Sequence, residues 1–280
     1  MSKLHSVYAW GVVGMIIVSS IYLYFVGSES WYWLTLAFTA VPLFSAFLFL
    51  KAELPTLETP EKMSGVLSYL KNKTLWLCVA AIFLGGAAEC TMAQWCSGYL
   101  EKALGVDKIW GDLFGTALFA MMLGLGRTMY SKFGKNVSRV LFLGAVGATV
   151  CYFTAAFSSI EVIGLLACAL TGFCVSMLWP GSLIISSDKF PHGGVFIYAM
   201  MASGGDFGAA IAPQLVGNIA DLVGESAFAV DAASTLGITA EQLGMKCGIL
   251  VGMLFSLAAV FVYLYIWRTS KRHTQVSNLK

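Results

Sequence analysis

Eight apolar stretches, each close to the length of a bilayer crossing, occupy most of this chain: Val7–Val26, Trp31–Leu50, Leu75–Leu100, Trp110–Tyr130, Val140–Phe157, Val162–Ile185, Val195–Val223 and Cys247–Trp267. A helix needs about 20 apolar residues to cross roughly 30 Å of hydrocarbon. Hydrophobic residues make up 58% of the chain and charged residues 11%, with a mean hydropathy of +0.79. In hydrocarbon each backbone N–H and C=O has to be satisfied within the protein, which leaves helices for stretches of this length. The expected fold is an all-α integral membrane protein with eight transmembrane helices.

Eight crossings put both termini on one side, and the basic residues say which. If that side is cytoplasmic, 14 of the 17 Lys and Arg residues lie there, and only Lys102, Lys108 and Lys246 lie opposite. Cytoplasmic loops of membrane proteins carry such an excess. The expected location is therefore the plasma membrane, multi-pass, with both ends cytoplasmic. The net charge of +2 is taken up in that orientation, and no nucleic-acid partner is expected. The first stretch exceeds the usual hydrophobic core of a signal peptide and lacks a small-x-small cleavage site after Val26, so it reads as a membrane helix. All seven cysteines fall within spans, in no metal-ligand spacing, so neither a disulfide framework, a metal nor a cofactor is expected.

The chain divides into two opening helices (1–50), a cytoplasmic linker (51–74), a six-helix group (75–268) and a cytoplasmic tail (269–280). In the linker, Thr59 and Pro60 suit a helix start, and Met63, Val66, Leu67 and Leu70 follow at the spacing of an amphipathic helix lying on the bilayer surface. The loop Gly224–Gly244 is expected to hold a short helix begun at Thr239. Glycines cluster within the spans, at Gly85-Gly86, Gly204-Gly205 and Gly208 among others, where they allow close helix approach. Pro180 and Pro213 are expected to kink the sixth and seventh spans.

Two carboxylates lie deep in the membrane. Glu89 is 16 residues beyond Lys73 and Asp206 is 17 beyond Lys189, or about 24 and 26 Å along a helix. Intramembrane acids face a bundle interior or a water-filled cavity and mark transport paths or proton relays. Their helical faces carry small residues, which leave room for a ligand. Gln94 and Trp95 lie a turn outward from Glu89, and Trp179 precedes Pro180; an amide and indoles suit sugar-like or other polar solutes. His5, His192 and His273 sit at cytoplasmic ends and read as solvated. No phosphate-binding loop, His-Glu-x-x-His or Gly-x-Ser-x-Gly occurs, so no enzyme activity is expected. Ser203-Gly204-Gly205-Asp206 approaches the Gly-x-Gly-Asp of intramembrane aspartyl proteases, but that chemistry needs a second deep aspartate.

The segment Gly126-Arg127-Thr-Met-Tyr-Ser131-Lys132-Phe133-Gly134-Lys135 joins the fourth and fifth spans. It resembles the Gly-Arg…Asp-Arg-x-Gly-Arg loop of major facilitator superfamily transporters, with Gly126, Arg127, Gly134 and Lys135 at matching positions and Ser131 where an Asp is usual. Trp179-Pro180-Gly181 and Gly204-Gly205-Asp206-Phe207-Gly208 are similar to helices 10 and 11 of the sugar-permease-like branch. On that template the chain resembles helices 5–12, with no counterpart to helices 1–4. The resemblance implies a cytoplasmic latch at Arg127 and Lys135, and a substrate or ion path lined by Glu89, Gln94, Trp95, Trp179 and Asp206. It implies alternating access for a small polar solute, sugar-like by preference, coupled to a proton or sodium gradient. A fragment working with a separate N-terminal half or with itself, an inactive remnant, and a drug or metabolite exporter stay open beside that reading.

Overall fold

The computed structural model describes residues 2–53 and 68–277. Among them eight helical segments are long and apolar enough to cross a membrane: Leu4–Val26, Ser28–Lys51, Lys73–Leu104, Lys108–Phe133, Val137–Phe157, Glu161–Lys189, Gly194–Gly224 and Ala240–Ser270. No strand occurs among the described residues. The segments coincide with the eight apolar stretches and overrun them into polar flanks, because a helix continues until a cap ends it. Asn72 starts the third span, its Oδ1 accepting from the Thr74 N–H at 2.8 Å, and Gly105, at φ 77°, ends it in the left-handed region that glycine adopts readily.

Thr239 begins the eighth span itself. Its N–H donates to Gln242 Oε1 at 2.9 Å and its Oγ1 accepts from the Gln242 N–H at 3.1 Å, a reciprocal cap. The short helix of that loop is instead Ala227–Leu236, capped by Ser226. The expectation of a short helix at Thr239 is corrected: no proline follows Thr239, so the helix runs on into the membrane. Thr59, Pro60, Met63, Val66 and Leu67 lie outside the described residues. Leu70 falls in a 3-10 turn, Tyr69–Lys71.

The third span is the most buried. It packs against the sixth, seventh and eighth, while the fifth packs on the sixth and eighth and the first on the fourth. Only Leu34 of the second span is buried. Between helices in lipid the hydrophobic effect supplies little, and close backbone approach and hydrogen bonds do the work. Three tyrosines illustrate the second term. Tyr152 from the fifth span donates to the Ala88 carbonyl at 2.7 Å, Tyr263 from the eighth to that of Ala81 at 2.7 Å, and Tyr99 of the third to that of Ala155 at 2.5 Å. Glycine supplies the first. A Cβ on Gly208 would stand 2.1 Å from the Phe83 carbonyl oxygen, and one on Gly86 2.6 Å from that of Gly205.

Two spans depart from a plain α-helix. The fourth opens with a π-helical segment, Gly111–Ala117, before continuing to Phe133; such segments are frequent at functional sites. The sixth ends its first piece at Val175 and resumes at Leu178. Pro180 lacks the N–H that would bond the Ser176 carbonyl four residues back, so the break falls there. Pro213, in contrast, sits inside an uninterrupted helix, Gly194–Gly224.

Candidate functional site

The Ser176 carbonyl released by Pro180 has a new partner. Arg127 Nε donates to it at 2.9 Å, and Arg127 Nη2 reaches both Glu89 oxygens, at 2.7 and 2.9 Å. Arg127 Nη1 donates to the His5 carbonyl at 3.3 Å. Arg127 is 1% exposed and Glu89 8%. Four spans thus converge on one guanidinium: the third through Glu89, the fourth through Arg127 itself, the sixth through Ser176 and the first through His5. A hydrogen bond between Ser6 and Thr128 hydroxyls, at 2.7 Å, fastens the first span to the fourth beside this point.

Arg127, expected in a cytoplasmic latch, makes its contacts inside the bundle. Gly126 and Arg127 lie within the fourth helix, two turns before its end, and the connecting loop is confined to residues 134–136. A long guanidinium side chain starting that far inside turns inward to a buried carboxylate, with which it makes charge-assisted hydrogen bonds. Gly134 and Lys135 do sit in the exposed loop. Ser131, at the position where an Asp is usual, spends its hydroxyl on the Thr128 carbonyl of its own helix at 2.7 Å.

Beside the ion pair is a cavity of about 310 Å³, lined by His5, Tyr8, Glu89, Cys90, Arg127, Trp179, Asp206 and Ala209. Glu89, Trp179 and Asp206, named from sequence, are thereby brought together. His5, read as solvated, is half-buried on the cavity wall, because the first helix begins before it and carries it into the bundle. The Trp179 ring is gripped from two sides: a Cβ on Gly86 would fall 2.8 Å from its Cζ3, and one on Gly205 2.7 Å from its Cη2. Asp206 is exposed to the cavity and, among the described residues, forms no hydrogen bond or ion pair.

Gln94 and Trp95 lie elsewhere. They line a second cavity of about 630 Å³ with Ser97, Lys108, Asp112, Thr116, Pro213 and Gln214 among others, toward the end of the bundle away from the termini. Trp95 Nε1 donates to the Pro213 carbonyl at 2.9 Å, tying the third span to the seventh. Ser97 donates to Asp112 on the π-helical segment. Ala209 borders both cavities. The five residues expected on one path are thus divided three and two between adjoining chambers.

The Major Facilitator Superfamily model matches residues 6–213, 208 of the 280 residues. The chain belongs to this superfamily. Among curated proteins none matches it. Superfamily membership and eight apolar helices make it a multi-pass membrane protein of a transporter family. The matched residues include the Glu89–Arg127 pair, Trp179 and Asp206. Sequence reasoning did not place Arg127, Tyr8, Cys90 and His5 of this superfamily protein on the wall of the Glu89–Asp206 chamber. One signal was available: a deep carboxylate demands a partner, and Arg127 is the basic residue furthest inside a span.

Proposed function

We propose that the protein is a secondary active transporter of a small polar organic solute, working by alternating access and driven by a proton or sodium gradient. The observation that carries this reading is the pair of adjoining chambers, each with polar or charged side chains on its wall, within a bundle of apolar spans. One holds Glu89, Trp179 and Asp206 and the other Gln94 and Trp95. Intramembrane charge on a cavity wall is costly to keep and marks solute or ion paths. Both termini face the cytoplasm of the plasma membrane in this reading, with the inner chamber on the cytoplasmic side.

On the superfamily template the eight spans correspond to helices 5–12. Alternating access rocks two halves about a site between them. The chambers described would then close against a second half, supplied by a separate segment or by another copy of this chain. The amide and hydroxyl groups of the outer chamber suit a solute rich in hydroxyls, in keeping with the resemblance to the sugar-permease-like branch.

Reconstitution tests this. The purified chain in liposomes, alone and after crosslinking to trap self-association, is given imposed proton and sodium gradients and a panel of labelled sugars, amines and carboxylates. Saturable, gradient-driven uptake that is lost with Asp206→Asn supports the reading. Equal flux through wild type and an Asp206→Asn/Gln94→Ala variant, or no flux in liposomes and in the cells that make the protein, overturns it.

A further inference from the structure

We propose that the inner chamber takes an organic cation, an ammonium-bearing solute held by the Asp206 carboxylate between the Tyr8 and Trp179 rings. The inference rests on the transport reading and narrows it from polar solutes in general to a charge class.

Charge carries the argument. The acidic and basic side chains on the wall of this chamber are Glu89, Arg127, Asp206 and His5. The first two cancel. Arg127 directs hydrogen bonds into the protein: two to Glu89 and one each to the Ser176 and His5 carbonyls. An incoming anion would have to displace Glu89 to reach that guanidinium. Asp206 lacks a hydrogen-bonded or ion-paired partner among the described residues and is exposed to the cavity. An uncompensated carboxylate in the membrane interior is unfavourable, and its compensation here comes with the guest. A neutral sugar brings hydroxyls but no charge. A carboxylate is repelled. An ammonium group supplies both the charge and the N–H donors.

The aromatic residues point the same way. Ring faces attract ammonium groups electrostatically. Trp179 is seated against Gly86 and Gly205 and presents to the chamber the part of its ring that they leave uncovered. Tyr8 is exposed, on the first span, and borders the same space. A bare proton or sodium ion would answer the carboxylate alone and make no use of the two rings.

The test measures binding to the full chain in lipid nanodiscs by calorimetry, with tetramethylammonium and n-butylammonium against glucose and acetate. Both ammonium ions are expected to bind to wild type, and glucose and acetate to leave their binding unchanged. Asp206→Asn, an isosteric change at an exposed position, should weaken ammonium binding at least tenfold, and Tyr8→Leu several-fold. Unchanged ammonium affinity in Asp206→Asn overturns the proposal, as does tighter binding of glucose or acetate than of either ammonium ion. Affinity lost in Asp206→Asn but intact in Tyr8→Leu and Trp179→Leu also overturns it, in favour of a simple cation site. The two readings part cleanly: ammonium binding without uptake in liposomes removes transport and leaves this site, whereas uptake of a neutral sugar without ammonium binding does the reverse.

Discussion

The Glu89 carboxylate and the Arg127 guanidinium, 38 residues apart in the chain, meet at 2.7 Å inside the bundle. Their pairing joins the third span to the fourth at the one place where the first and sixth also arrive. Burying two charges is expensive, so such a pair adds little net stability compared with apolar residues of the same shape. Its removal by halves is another matter.

Glu89→Gln leaves the Arg127 charge in the interior without its carboxylate, and a loss of about 3–5 kcal/mol is expected, as for other half-broken buried pairs. Changing both, Glu89→Gln with Arg127→Gln, should cost clearly less than the two single changes added together. Thermal unfolding of the detergent-purified protein, followed as loss of the monodisperse peak, measures this. Strict additivity would show that the pair is not formed in solution.

Pro180 and Arg127 should be coupled although they need not touch. Pro180→Ala supplies an N–H that competes with Arg127 Nε for the Ser176 carbonyl. In a cycle with Arg127→Gln the interaction energy should fall at about 0.5–3 kcal/mol, the range for residues sharing a partner. A value indistinguishable from zero would mean that the carbonyl is satisfied without the arginine.

The glycine slot around Trp179 makes a prediction with an internal control. Around Gly205 the three nearest obstacles to a methyl group are all Trp179 ring atoms, whereas around Gly86 the nearest is a backbone oxygen, at 2.6 Å, and around Gly208 it is another, at 2.1 Å. Gly205→Ala should therefore be rescued by Trp179→Leu, and Gly86→Ala and Gly208→Ala should not. Folded yield in detergent is the readout. Rescue of all three, or of none, contradicts the geometry.

Orientation is open to direct labelling. In a background with all seven cysteines replaced, Lys135→Cys in the loop between the fourth and fifth spans should react with an impermeant thiol reagent only after the cells are opened. Glu225→Cys, in the loop after the seventh span, should react in intact cells. The opposite pattern would invert the topology.

The eight spans were legible because span length is set by the thickness of hydrocarbon, a constraint each apolar run expresses locally. The break in the sixth span was legible from Pro180, since a missing N–H is a property of one residue. The depth of Glu89 and Asp206 followed from counting along the helix. What counting along a helix does not reveal is which way a side chain turns about it. Arg127 was counted with the basic residues of the cytoplasmic side, and its inward turn depends on Glu89 and Ser176, on two other spans. Gln94 and Trp95 were grouped with Glu89 by nearness in sequence, but five or six residues along a helix move a side chain about 8 or 9 Å toward the next chamber. The helix at Ala227–Leu236 escaped notice because its alanines and serine carry no periodic signal strong enough to stand out from a loop.

The cancellation between Glu89 and Arg127 has an electrical consequence. A full elementary charge moved through 100 mV exchanges about 2.3 kcal/mol with the membrane voltage. A tightly paired acid and base travelling together exchange almost nothing, which leaves Asp206 as the chamber's handle on the field. An empty chamber would then carry one negative charge through any rearrangement, and a chamber holding a monovalent cation would carry none. Resting voltage would act on the return of the unloaded protein, and on the loaded step only through a coupling ion carried with the guest.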